Sequence, residues 1–210
     1  MQHPLYQFHF CPKCGSRNFV ENNEKSKKCL TCGFVYYFNS SAAVVAVIEN
    51  EKNEILVATR VADPAKGTFD LPGGFIDLYE TAEEAVCREV LEETGLQINS
   101  VHYLFSIPNI YVYSDFEVHT VDMFFQCKTN DFSSLKANDD VSELQFIARS
   151  ELNPDDFGLI SIRKGIEKIV FTTFAHSSPP LYHTTLSLSI ISQPQHSSSN
   201  ANNAPDSPEH

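Results

Sequence analysis

The chain has 210 residues, 42% of them hydrophobic, and a formal net charge of −12 at pH 7. That length accommodates one full domain and a small accessory module, and no apolar run reaches membrane-spanning length, the longest clear one being the strand-sized stretch Ala42 to Ile48. The charge is uneven: residues 1–40 carry five basic and two acidic side chains, a balance of +3, whereas residues 41–210 carry ten basic and twenty-five acidic ones, a balance of −15. A body that acidic repels a polyanion unless cations are bound, so a phosphate-bearing substrate would require metal. The first residues, Met-Gln-His-Pro-Leu-Tyr, lack a charged region followed by an apolar stretch. No secretory signal is therefore expected, and the chain reads as soluble, intracellular and cytoplasmic.

Two Cys-x-x-Cys pairs come first, Cys11-Pro-Lys-Cys14-Gly15 and Cys29-Leu-Thr-Cys32-Gly33, with fourteen residues between Cys14 and Cys29. In an intracellular protein such pairs favour metal over disulfides. Four thiolates make a closed tetrahedral zinc site with no position for water, hence a structural ion, and His3 and His9 are superfluous to it. The loop Lys25 to Lys28 is basic and offers a place for nucleic acid to touch, although the residues between its lysines supply no aromatic platform. A solvated turn is the favoured reading of it.

Phe34 to Asn39 leads into the main domain. Ala42 to Ile48 and Glu54 to Arg60 read as two strands of a hairpin joined by the polar turn Glu-Asn-Glu-Lys-Asn. Asp63 to Gly67 is a loop, and Thr68 to Leu71 a short strand running into the glycine turn Pro72-Gly73-Gly74. A helix follows, with Thr81 as N-cap, Glu84 three residues on as its capping-box partner, and Gly95 as the left-handed C-terminal stop. On this helix Glu89, Glu92 and Glu93 share one face, while Val86 and Val90 form an apolar stripe for the sheet. Glu80, from the preceding loop, can fold back toward the same carboxylates.

Cys87 on the helix and Cys127 in a strand-like run read as buried free thiols. Ile98 to Ile107, Tyr111 to Tyr113, His119 to Lys128 and Ser142 to Ile147 read as strands, and Asp155 to Phe174 carries a second helix with Ile162, Ile166, Ile169 and Val170 at helical spacing. From His176 the chain turns to Ser, Pro, Asn and His and reads as a disordered tail that includes Thr184 to Ile191.

A run of glutamates by itself is equally a solvated helix face. Clustered carboxylates also suit hard divalent cations, above all Mg²⁺ or Mn²⁺, and so point to metal-assisted cleavage of a phosphoanhydride. The spacing discriminates between the two. Gly74, five residues, Glu80, seven residues, then Arg88-Glu89-Val90-Leu91-Glu92-Glu93-Thr94-Gly95-Leu96 matches every fixed position of the Nudix box, and here the chain resembles the Nudix hydrolase family.

The resemblance implies a mixed-sheet α/β/α sandwich over residues 40–175, preceded by a zinc ribbon at 1–39 and followed by the tail at 176–210. It implies hydrolysis of a nucleoside diphosphate linked to another group, with Glu89, Glu92 and Glu93 as Mg²⁺ or Mn²⁺ ligands, Glu80 as an additional ligand or water-positioner, and Arg88 as the partner that orients them. Gly73 and Gly74 would leave backbone amides open near the phosphates. Asp140, in Asp140-Val-Ser-Glu143, resembles the downstream acidic residue that many members recruit, with Glu143 as the alternate. The layout also resembles the NADH pyrophosphatase branch, but the chain has no tryptophan and carries Ser106-Ile-Pro108-Asn-Ile-Tyr111-Val-Tyr113 where that branch has a tryptophan-containing motif.

Phe105, Tyr111 and Tyr113 offer base-stacking faces or simply core packing. Substrate therefore stays open among ADP-ribose, NAD(H) and related adenine dinucleotides. Related enzymes with this layout suggest a homodimer. A second reading is a nucleotide-sensing or nucleic-acid-binding regulator, and a third is removal of an NAD-type cap from RNA.

Overall fold

The computed structural model describes residues 2–138 and 141–171, which places the candidate acid Asp140, the tail from His176 and the segment Thr184 to Ile191 outside the described residues. The N-terminal part folds around its cysteines as an antiparallel sheet of β1 (Phe19–Asn23), β2 (Ser26–Cys29) and β3 (Val35–Tyr37). The stretch expected to be a basic loop is thus largely strand β2. Lys27 points inward: it is buried, its Nζ donates to the carbonyls of Leu5 and Phe8 at 3.2 and 2.7 Å, and it lies 5.5 Å from the Phe19 ring centroid. Lys28, next along the strand, faces the other way, and Lys25 lies in the turn before β2; both are exposed.

The remaining strands divide between two sheets. One has the order β7-β4-β9-β8, from β7 (Gly73–Phe75), β4 (Ser41–Ile48), β9 (Phe116–Lys128) and β8 (Ser100–Tyr113); the other has the order β10-β5-β6, from β10 (Val141–Ala148), β5 (Glu54–Arg60) and β6 (Phe69–Asp70). β4 and β9 run parallel, in register from Ser41 opposite Thr120 to Ile48 opposite Cys127, and the other pairs are antiparallel, which makes the first sheet mixed.

Three expectations change here. β4 and β5 do not form a hairpin ladder. A bridge from Glu49 to Ile55 is their link, and the two strands then part into different sheets. Val44 to Ile48 are buried on both faces, as suits a strand enclosed by two neighbours rather than one. Asn50 closes the turn by accepting from the amides of Lys52 and Glu54. The glycine turn is itself a strand, β7. Finally, the two strands expected on either side of Pro108 are one continuous strand. β8 is the sheet's edge, where a residue without an N–H can be tolerated.

α1 (Ala82–Thr94) begins and ends as its sequence dictates. Thr81 and Glu84 form the reciprocal capping box, and Gly95 caps the end at φ 70°. Its buried Ala85, Val86 and Val90 pack on Val44, Ala46, Ile48, Phe125 and Cys127. Burial pushes the Cys127 thiol up to about 12 and also raises that of Cys87, as expected of structural rather than reactive cysteines.

The second helix, α2 (Ile160–Phe171), starts later than expected, after a 3-10 turn at Pro154–Asp156, because Phe157 first pairs with Phe69 in a bridge. It covers the opposite face of the mixed sheet: Ser161 donates to Asp122, and Lys168 lies 4.9 Å from the ring centroid of Phe105, which stacks on Phe124. Two helices on opposite faces of the mixed sheet give the sandwich architecture.

The tip of the β8–β9 hairpin rests on the N-terminal sheet region. Phe116 meets Phe8 and Phe38 with ring centroids 5.6 and 5.7 Å apart, His119 meets Phe38 at 5.5 Å, and Gln7 Nε2 donates to the Asp115 carbonyl at 2.6 Å.

Candidate active site

The capping box fixes where α1 begins and β7 fixes the strand beside it. Together these elements set the positions of the acidic side chains. Arg88 is the hub. Its Nε and Nη2 donate to the two oxygens of Glu80 at 2.8 and 3.0 Å, Nη1 donates to Glu89 at 2.9 Å and Glu92 at 3.0 Å, and Nη2 also reaches the Phe75 carbonyl at 3.0 Å. The fork geometry of the guanidinium is what lets one side chain serve three carboxylates. Hydrogen bonds from Arg88, and behind them the Asp77 amide, hold Glu80 below the ordinary carboxylate range. Glu89 moves the other way, because burial outweighs the pull of Arg88 and because Glu92 and Glu80 add negative charge. The Arg88 guanidinium is held above its ordinary value chiefly by Glu80.

Glu93 sits apart from this hub. Its Oε2 accepts the Gly73 N–H at 3.0 Å, and it lines a cavity of about 450 Å³ together with Gly73, Gly74, Arg60, Asp70, Asn109 and Asp122. The two glycines are required by close approach. A Cβ on Gly73 would come 2.1 Å from the Val44 carbonyl oxygen, and one on Gly74 would come 2.5 Å from Glu89 Oε1. Because the obstacle at Gly74 is a carboxylate rather than backbone, Gly74→Ala is expected to leave the fold intact while displacing Glu89. Turnover at this site should fall at least about tenfold for a misplacement of this size, checked by initial rates beside a thermal melt.

The structure brings together Glu80, Arg88, Glu89 and Glu92, with Glu93, Gly73 and Gly74 alongside; Asp140 lies outside the described residues, and its alternate Glu143 is exposed on β10 beside Thr59 of β5. The ligand oxygens of Glu89, Glu92 and Glu93 do not converge on one point: two turn to Arg88 and the third to Gly73. As a donor set they are hard oxygens on one half-buried helix face, which fits Mg²⁺ or Mn²⁺. Of the aromatic candidates, Phe105 is committed to Phe124 and Lys168, whereas Tyr113 is exposed and lines the cavity.

Asn109, Thr120, Asp122 and Ser161 were not singled out by sequence reasoning. All are buried at or beside this cavity, and the strand alternation that groups three of them could be read only once β8 and β9 were paired.

At the N-terminal site the four sulfurs of Cys11, Cys14, Cys29 and Cys32 lie within 4.8 Å of one another, with Cys11–Cys32 at 3.7 Å and Cys14–Cys29 at 3.6 Å. A tetrahedron with zinc–sulfur bonds of about 2.3 Å has edges of about 3.8 Å, so the quartet fits a zinc ion. Backbone N–H groups of Cys32 and Thr31 lower the Cys29 thiol, while the neighbouring sulfurs and burial leave that of Cys14 raised.

A family model for the NUDIX domain matches residues 39–167. The chain is 34% identical over 106 residues to an NAD-capped RNA hydrolase NudC of Vibrio parahaemolyticus, a match covering 50% of this chain and 40% of that one. It is 38% identical over 118 residues to an ADP-ribose pyrophosphatase of Methanocaldococcus jannaschii, covering 55% of this chain and 66% of the relative. The matches thus span less than half the length of the NudC relatives. Among solved structures, a NUDIX hydrolase from Nitrosomonas europaea superposes with a TM-score of 0.60 at 24% identity, over 77% of this chain and 89% of the other, a likeness of fold.

Proposed function

The chain belongs to the Nudix hydrolase family, and from that premise we propose that it hydrolyses the pyrophosphate bond of a nucleoside diphosphate joined to a second group, such as ADP-ribose, NAD(H) or a related dinucleotide. The observation that carries this reading is the intact acidic box, with three of its carboxylates gathered on Arg88 and the fourth, Glu93, on the wall of the cavity. In this reading residues 40–175 are the hydrolase domain and residues 1–39 a zinc module held by Cys11, Cys14, Cys29 and Cys32. Glu89, Glu92 and Glu93 would hold Mg²⁺ or Mn²⁺, which when bound neutralises phosphate charge and activates water.

The protein's own contributions follow from geometry. Arg88 orients Glu80, Glu89 and Glu92 and lets like charges stand side by side. Gly74 leaves room for the Glu89 carboxylate, whereas the Gly73 N–H expected to stay open for phosphate is taken by Glu93. Glu93, braced by the Gly73 amide, would hold the metal at the cavity wall, with Glu80 as an additional ligand or water-positioner.

The test is a panel of ADP-ribose, NAD⁺, NADH and diadenosine polyphosphates with Mg²⁺ or Mn²⁺, both products being identified by mass. Metal-dependent release of two phosphorylated halves from at least one compound is expected; no turnover across the panel would sink the reading.

A second reading, hydrolysis of an NAD cap on RNA, is favoured by the likeness to NAD-capped RNA hydrolases. Its electrostatic support is thin, because Lys27 is spent inside the ribbon and leaves Lys25 and Lys28 as the exposed lysines of that stretch. Turnover of capped RNA exceeding that of free NAD⁺, with a salt dependence that weakens on Lys25→Ala/Lys28→Ala, would establish it.

A further inference from the structure

The cavity beside the acidic box has a polar inner wall that the box does not use. Asn109 of β8 stands opposite Thr120 of β9, and Asp122 lies two residues farther along β9. Successive side chains alternate between faces, so these three share one face, with Asn109 and Asp122 as a diagonal pair within reach of one ligand. All three are buried, at 6, 2 and 5% exposure for Asn109, Thr120 and Asp122, and all three line the cavity.

Their hydrogen bonding is incomplete in a specific way. Asp122 Oδ1 accepts from Thr120 Oγ1, and Oδ2 accepts from Ser161 Oγ of α2, which is fully buried. Each carboxylate oxygen is thereby oriented and keeps accepting capacity. Among the described residues, no cation pairs with Asp122, since the nearby Arg60 is engaged by Asp70. The Asn109 carboxamide oxygen accepts the Ile110 N–H, whereas its Nδ2 has no partner among the described residues. An amide donor without a protein partner among the described residues and a carboxylate with spare accepting capacity therefore line one cavity.

We propose that Asn109 and Asp122 are a specificity pair that reads the edge of an amino-substituted heterocycle, Asn109 Nδ2 donating to a ring nitrogen and the Asp122 carboxylate accepting from the exocyclic amino group. Asparagine spans neighbouring acceptor and donor positions on adenine, and a carboxylate accepts from an amino group, in nucleic-acid recognition by the same complementarity. Asp122 also rejects: a 6-oxo ring in the same pose would set a carbonyl oxygen against a carboxylate that has nothing to donate. Thr120 and Ser161 are positioning residues, because they fix the carboxylate without needing to touch the ligand. The inference rests on the hydrolase reading above, since Gly73, Gly74 and Glu93 line the same cavity and would hold the other end of one molecule.

The experiment compares ADP-ribose with IDP-ribose, which differ by the 6-amino and 6-oxo groups. In parallel, AMP and IMP are titrated calorimetrically into the zinc-loaded protein with no Mg²⁺ or Mn²⁺ added. The wild-type protein is expected to favour the 6-amino compound by about tenfold or more in both assays. Asp122→Asn should collapse that ratio at least about tenfold with kcat on ADP-ribose largely kept, and Asn109→Ala should raise KM for ADP-ribose with little change in kcat. Thr120→Val should narrow the preference in the same direction, and it serves as the second variant if Asp122→Asn does not fold.

A ratio unmoved by these folded variants overturns the specificity pair, even if hydrolysis is vigorous. The reverse result, no turnover but an AMP preference lost on Asp122→Asn, upholds the pair and removes the hydrolase reading.

Discussion

Replacing Glu93 with glutamine is expected to lower kcat on the best substrate by about 10²- to 10⁴-fold, while the melting temperature stays within about 2 °C of the parent. Glu93 differs from its neighbours in what holds it. Glu89 and Glu92 face the Arg88 guanidinium, so losing either also unbalances a charge cluster, whereas Glu93 accepts the Gly73 N–H and lines the cavity. A glutamine oxygen can accept the same bond. The substitution therefore removes the charge while keeping the β7–α1 contact. Single-turnover rates beside a thermal melt decide the matter, and full activity in Glu93→Gln would remove this residue from the chemistry.

Loss of the cysteine quartet should produce the largest structural effect. Structural zinc contributes on the order of 10–16 kcal/mol in small modules, and the apolar cluster of this part is small, Cys11, Phe19 and Cys29 with Phe34 packed against them. Cys29→Ser is expected to abolish zinc content measured by mass spectrometry and to release amide protection across β1, β2 and β3. The loss should extend to Phe116 and His119, whose rings rest on Phe8 and Phe38, while the α1 amides stay protected. Protection of β1 to β3 equal to the parent's would show that the quartet does not organise this sheet.

What could be read in advance was local. Thr81, Glu84 and Gly95 act within α1, and their roles follow from spacing alone. The four cysteines are likewise legible because two short turns bring each pair together, leaving one meeting to be guessed. Pairing at a distance was not legible. Nothing near Glu54 announces that β5 abandons β4 for β10, and nothing near Pro108 announces that β8 is an edge able to run through a proline.

Lys27 misled for a similar reason: three lysines in four residues look solvated until the carbonyls of Leu5 and Phe8 are brought to the middle one. The polar wall was invisible on the same ground. Asn109 and Asp122 are thirteen positions apart and become neighbours only through the β8–β9 register.

The parallel pairing of β4 with β9 also sets an order of events as the chain is made. β4 is synthesised early, yet one neighbour is β7 and the other is β9, which ends at Lys128. Until that residue has emerged, the apolar run Val44 to Ile48 has no complete sheet to enter. Non-local pairing of this kind is slow, because a long loop must close before any contact rewards it. The N-terminal sheet, whose contacts are short in sequence, can close first, so a nascent chain halted before Lys128 would carry a finished small sheet and an exposed, unpaired apolar strand.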